Sequence, residues 1–273
     1  MTPDHLAATF RDACAAELAA LKVGNVHRFS PGHGMEVAHF EVAYRAAAPF
    51  IAANGRRVGA RIEAAVQASL TATGLNTNLG ILLLCAPLAA AAERGGPLRD
   101  SLRQVLARFD DGDAAATFRA IAAASPGGLG RHDEHDVTAP ARIGLIEAMA
   151  LAAERDRIAW QYVSGFADIF ELGLPRLASL AGAETEAGAE AVHLAYLAAF
   201  PDSHIARKFS LALAREVQRE AQKVAAEVDF TASAETRHKP LLAFDAALKR
   251  RGINPGTTAD LTVATLFAAA LSS

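Results

Sequence analysis

Aromatic residues make up only 6% of this 273-residue chain, and no stretch alternates apolar with polar residues long enough to define a strand. That excludes a sandwich of β-branched strands as the organising core. Cysteine is nearly absent, with only Cys14 and Cys85, each in an alanine- or leucine-rich segment. A disulfide framework is excluded, and buried free thiols in a reducing cytosol are expected. Neither sign of charge is in large excess, with a formal net charge of -3 and a pI near 6.3. Nucleic acid is therefore not an expected partner, because a long polyanion calls for a basic face. The longest apolar run, residues 79–92, is about fourteen residues long and contains Pro87, short of the roughly twenty that span a bilayer. It reads as a buried central helix, and no membrane partner is expected. The first residues include Asp4, His5, Arg11 and Asp12 rather than the basic-then-apolar pattern of a secretory signal, so a cytoplasmic location is expected.

The common nucleotide and metal signatures are missing as well. Residues 125–130 are glycine-rich but lack the lysine and spacing of a Walker loop, and no Rossmann fingerprint follows a strand. In residues 131–136, His132 and His135 stand three apart among carboxylates. They lack the His-Glu-x-x-His arrangement and a nearby cysteine, so a dedicated zinc site is not expected.

What the chain does have is alanine and helical periodicity. Helices are predicted at about 4–21, 35–53, 56–73, 78–93, 97–108, 113–124, 138–152, 154–172, 185–199, 204–228, 238–250 and 257–271. The fold class is all-α, with about twelve helices around the buried run at 79–92. No repeat of fixed period and no long linker is present, so residues 1–273 are taken as one domain, with 125–136 as the best hinge or lid. Alanine-rich helices can also form a dimer face, and a homodimer stays open, although no heptad is sustained.

Four polar islands interrupt the alanine background. Between the first two helices, Lys22-Val23-Gly24-Asn25-Val26-His27-Arg28 is followed by His33 and Glu36. That connection is either a binding loop or a solvated loop with its own turns. Next, Gly74-Leu75-Asn76-Thr77-Asn78-Leu79-Gly80 runs directly into the apolar helix. Asn76, Thr77 and Asn78 are capping types, and an uncapped helix start suits an anion; either role fits. The third island, Asp202-Ser203-His204-Ile205-Ala206-Arg207-Lys208, pairs a capping carboxylate with cations within two turns. In the fourth, Asn254-Pro255-Gly256-Thr257-Thr258-Ala259-Asp260 opens the last helix, and Asp260 there is explained either by the dipole or as a magnesium ligand.

Taken in order, the islands resemble motifs of the triphosphoribosyl-dephospho-coenzyme A synthase family. The family's Lys-Pro-Gly-Leu-Val-Asp-Arg is similar to Lys22 through Arg28, and its Gly-x-Asn-Thr-His-Lys-Gly to Gly74 through Gly80. Its Asp-Thr-x-x-x-Arg falls on Asp202 through Arg207, and its Ser-Pro-Gly-Gly-Ser-Ala-Asp on Asn254 through Asp260. Asn78-Leu79 replaces the family's His-Lys, and His27 replaces its aspartate. These departures resemble an archaeal and methylotroph branch found beside genes of one-carbon coenzyme metabolism. The resemblance implies an all-helical enzyme that moves the triphosphoribosyl group of ATP to 3'-dephospho-CoA with magnesium, releasing adenine. It leaves two alternatives: an ATP-dependent enzyme of methanopterin or methanofuran synthesis, or a non-catalytic nucleotide-binding protein. It further implies nucleotide contacts at Asn25, Arg28, Asn76, Thr77, Asn78, Gly80, His204, Arg207 and Lys208. Magnesium falls to Glu36, Asp202 and Asp260, with Glu36 or Asp202 beside the sugar cation, and His27 is the implied base.

Overall fold

The structure, a computed structural model, describes residues 1–32, 34–124 and 143–272. The hinge read into 125–136, the His132 and His135 pair, and His33 lie outside the described residues. The protein is 74% helical, with fourteen α-helices and no strand among the described residues. By contacts the chain forms two compact units, each assembled from separated stretches of sequence. The helices α1 (Pro3–Ala19) and α14 (Gly256–Leu271) contribute residues to both.

The first unit comprises Met1–Asp12, His39–Ala167 and Phe267–Ser273. It contains most of α2 (Val37–Ile51), together with α3 (Val58–Thr73), α4 (Leu79–Arg94), α5 (Leu98–Leu106), α6 (Asp111–Ala124), α7 (Leu145–Ala152) and α8 (Arg157–Ser164). Helix α4 is the expected central helix, buried along nearly its whole length from Leu79 to Ala91. Leucine and alanine favour the helix, but Pro87 has no amide proton to give to the carbonyl of Leu83. The Tyr162 hydroxyl of α8 donates to that carbonyl at 2.6 Å, so the orphan acceptor is satisfied from a neighbouring helix. Tyr162→Phe should therefore cost about 1–3 kcal/mol in urea unfolding, more than the loss of an exposed hydroxyl. An unchanged midpoint would refute this pairing.

Two further features tie this unit together. The Gly59 amide of α3 donates to Asp113 Oδ1 of α6 at 2.9 Å. A Cβ on Gly59 would lie 2.5 Å from the Asp113 carbonyl oxygen, so only glycine permits this approach. Arg61, almost fully buried, donates to the carbonyls of Ile51 and Arg56 and, in a fork, to both oxygens of Glu93 at 2.7 and 2.6 Å. An acceptor at each of its three nitrogens is what makes so buried a guanidinium tolerable.

The second unit comprises Ala13–Ala38 and Asp168–Leu266. After a π-helical turn, Ile169–Gly173, come α9 (Leu174–Ala178), α10 (Thr185–Ala199), α11 (Ser203–Lys208), α12 (Leu211–Glu227) and α13 (Ala234–Arg250). Its apolar core joins Leu21 and Val23 to Leu194, Leu197, Ile205, Val217, Leu241, Leu248 and Ile253.

Two expected helices are each divided, and α9 lies beyond any expected one, which gives fourteen α-helices where twelve are expected. The single helix at 154–172 becomes α8 and the π turn, with α9 following past its expected end. Its first break is at Gly165, which takes φ 67 as the C-cap of α8. The single helix at 204–228 becomes α11 and α12, because Phe209 and Ser210 leave helical geometry and the Ser210 hydroxyl caps the Leu213 amide at 3.1 Å. Among the described residues, no single helix is long and apolar enough to cross a membrane.

Candidate functional site

In the second unit three polar islands come together. The chain leaving α1 turns sharply at Lys22 to Asn25, where the Asn25 amide donates to the Lys22 carbonyl at 3.1 Å. Gly24 sits at φ 77, and a Cβ there would fall 2.8 Å from Pro255 Cδ and 2.9 Å from Leu248. The glycine thus lets the first island press on the connection that opens α14. Across that contact the Asn25 amide group donates to Asn254 Oδ1 at 2.8 Å, while Asn25 Oδ1 accepts from the Val26 amide and, at 3.2 Å, from Lys22 Nζ. Lys22 is buried and paired with Glu17 of α1. Burial lowers the lysine and raises the glutamate against their mutual attraction, and Asp260 adds a favourable field at Lys22.

Beside this pair lies a charged constellation that no motif announced. Asp245 and Lys249 stand one turn apart on α13, and Asp245 Oδ1 accepts the Gly24 amide at 2.8 Å. The same oxygen lies 3.1 Å from Lys249 Nζ and 3.3 Å from His27 Nε2. Burial would raise the Asp245 carboxyl, but the His27 hydrogen bond and charge, the Gly24 amide and Lys249 outweigh it and hold it below the usual range. Burial lowers both Lys249 and His27, with Asp245 opposing in each case. His193, fully enclosed nearby, is pushed down to about 3 by burial and by Lys22. It stays neutral at physiological pH, with Nε2 3.4 Å from the Val23 carbonyl.

The expected site residues fall out as follows. His27 is buried, its Nδ1 accepts the Phe29 amide at 3.3 Å, and its Nε2 faces Asp245 and Lys249. Both ring nitrogens are thus engaged within the protein, which is not the geometry of a base open to substrate. Asp202 is fully buried as the N-cap of α11: Oδ1 accepts the Ile205 amide at 3.0 Å, and Oδ2 accepts the Thr258 amide and hydroxyl, both at 2.8 Å. Burial raises its carboxyl against those bonds. This is a capping carboxylate tying the third island to the fourth. Arg28 lies half-exposed, 3.4 Å from Glu186 and 4.6 Å from the Phe29 ring centroid. Glu36 and Lys208 are exposed, whereas His204, Arg207 and Asp260 are partly buried. His204 packs on Gly256, where an added Cβ would lie 3.2 Å from its ring.

Asn76, Thr77, Asn78 and Gly80 belong to the first unit. Asn76 Oδ1 accepts the Leu79 amide at 3.3 Å, so it supplies the cap. Asn78 holds the N-cap backbone position of α4 but turns its side chain to Ser69 Oγ at 3.1 Å. Thr77 Oγ1 is buried without a hydrogen-bond partner, and Gly80 is buried in the first turn of α4. The depression lined by Ser69, Asn76 and Asn78 is too shallow to enclose a ligand.

Among the described residues, no group of three His, Cys, Asp or Glu side chains is placed to hold a metal ion. Both Asp202 oxygens are engaged by backbone and hydroxyl donors of the protein. Glu17, His193, Asp245 and Lys249 were missed by sequence reasoning. Their one local signal, Asp245 and Lys249 four apart, is also the pattern of an ordinary surface ion pair.

Comparison with known proteins identifies the family. The family model for ATP:dephospho-CoA triphosphoribosyl transferase matches residues 3–273. A crystal structure from Archaeoglobus fulgidus, provisionally named as a triphosphoribosyl-dephospho-coA synthase, is similar at 26% identity and a TM-score of 0.67. That likeness covers 87% of this chain and 99% of the other. No curated protein matches in a sequence search. The chain belongs to the ATP:dephospho-CoA triphosphoribosyl transferase family.

Proposed function

We propose that the protein transfers the triphosphoribosyl group of ATP to 3'-dephospho-CoA and releases adenine. The observation that carries this reading is the convergence of islands in one unit. Asn25 meets Asn254 across 229 residues, and Asp202 meets Thr258 across 56.

In this reaction the acceptor hydroxyl forms a bond to ribose C1' while the bond from C1' to adenine breaks. The electron pair leaves on adenine, and the proton lost by the hydroxyl is balanced by one gained by the base. Positive charge develops on the sugar, so fixed anions and dipoles stabilise the transition state. Arg28, His204, Arg207 and Lys208 are proposed to meet the phosphates. Asn76, Thr77, Asn78 and Gly80 lie in the first unit at the start of α4, and an anion contact there is proposed separately from that set. Magnesium enters as the counter-ion of the triphosphate, which needs only one or two protein carboxylates. Glu36 and Asp260 are proposed for it, and Asp202 is reassigned to capping. His27 is proposed to orient Asp245 and Lys249 rather than to take the substrate proton.

The test is product analysis with ATP, magnesium and dephospho-CoA. Released adenine and a conjugate heavier by the triphosphoribosyl group are expected by mass spectrometry. Adenine release only when a one-carbon coenzyme precursor replaces dephospho-CoA would move the acceptor. No adenine release with either acceptor, from folded protein, would leave nucleotide binding without transfer.

A further inference from the structure

We propose that Asp245 is the carboxylate that faces the donor ribose and stabilises its developing positive charge, a role that rests on the transfer reaction above. Three observations carry it. First, the contacts of this carboxylate converge on one oxygen: the Gly24 amide, Lys249 Nζ and His27 Nε2 all reach Oδ1, at 2.8, 3.1 and 3.3 Å. Among the described residues no hydrogen bond to Oδ2 is present, while the group, its side chain 5% exposed, is held from three directions on two elements. Second, the donors around it keep it ionised at neutral pH, and a fixed anion is what a sugar cation requires. Third, it lies against the first island, whose Gly24 it binds and whose Asn25 reaches Asn254 of the fourth. Asp202, by contrast, has both oxygens occupied in the core. Only the charge on Asp245 acts here; the proton passes from the acceptor hydroxyl through solvent to the departing adenine.

Lys249 and His27 are then positioning residues. Lys249 Nζ also donates to the Ser30 carbonyl at 3.3 Å, which fixes the ammonium beside Oδ1. One rigid carboxylate oxygen is thereby dedicated to holding the group and the other to substrate.

The test is calorimetric titration with a 5'-triphosphorylated iminoribitol, whose ring ammonium mimics the charge of the transition state, beside titration with ATP. Wild-type protein is expected to bind the analogue at least 100-fold more tightly than Asp245→Asn, with ATP affinity unchanged within about threefold. Asp245→Glu, which keeps the charge, should retain analogue binding within about tenfold of wild type. Equal binding of the analogue by wild type and Asp245→Asn overturns the proposal. So does parallel loss of both ligands, or of the fold, in both variants, because it marks a packing role. The titration needs no acceptor: wild-type discrimination without adenine release in the transfer assay would overturn the acceptor assignment while leaving Asp245 in place.

Discussion

Lys22→Met is expected to lower stability by about 3–5 kcal/mol at neutral pH, because it leaves the Glu17 carboxylate buried without its partner. Glu17 has 5% of its side chain exposed and Lys22 1%, so solvent cannot replace the lost ammonium. The double variant Glu17→Gln, Lys22→Met should recover most of the loss, since an isosteric neutral pair carries no unpaired charge. The deficit also has a defined pH dependence. Burial raises the folded-state pKa of Glu17 above its unfolded value near 4.5, so protonation favours the folded state. The deficit of the single variant should be largest above the raised pKa and shrink as pH falls toward 4.5. Urea unfolding of the wild type and the two variants at two pH values checks both claims. Equal losses in the single and double variants would show that the pair contributes through packing alone.

Glu190→Ala is expected to cost a similar amount, about 3–5 kcal/mol, for a different reason. The Glu190 carboxylate of α10 is a hub rather than one member of a pair. Oε1 accepts the Leu21 amide at 3.1 Å and lies 2.8 Å from His238 Nε2, and Oε2 accepts Arg237 Nε at 2.7 Å. Truncation would leave a backbone amide unsatisfied and Arg237, with 3% of its side chain exposed, holding the more exposed Glu184 and, at 3.4 Å, the Ala232 carbonyl. Leu21 immediately precedes Lys22, so the loss should also loosen the Lys22 to Asn25 turn. Hydrogen exchange at the Leu21 and Gly24 amides should accelerate more than exchange in α4, which lies in the other compact unit. Uniform acceleration in both units would refute a local role.

Both predictions concern residues whose importance could be read only in part from sequence. Helix α10 was predicted at 185–199 and observed at Thr185–Ala199, because alanine-rich periodicity and a Phe-Pro stop are local properties. Glu190 within it looked like one more charge on a helix face. Its burial depends on Leu21, 169 residues away, and on Arg237 of α13. The division of the 204–228 helix was missed because Ser210 also tolerates a helix interior. The capping that ends α11 and starts α12 is a choice between two local geometries.

The sequence by itself determined the all-α class, most helix boundaries, the buried run of α4 and the four islands that mark the family. Periodicity, alanine content and motif order are carried by near neighbours in the chain. Tertiary structure alone decided which polar groups meet. It assigned both oxygens of Asp202 to a cap, turned Asn78 toward Ser69, enclosed His27, and brought Asp245 and Lys249 against Gly24. A carboxylate takes its function from its solvation and its partners, and in this chain those partners lie as far as 221 residues apart.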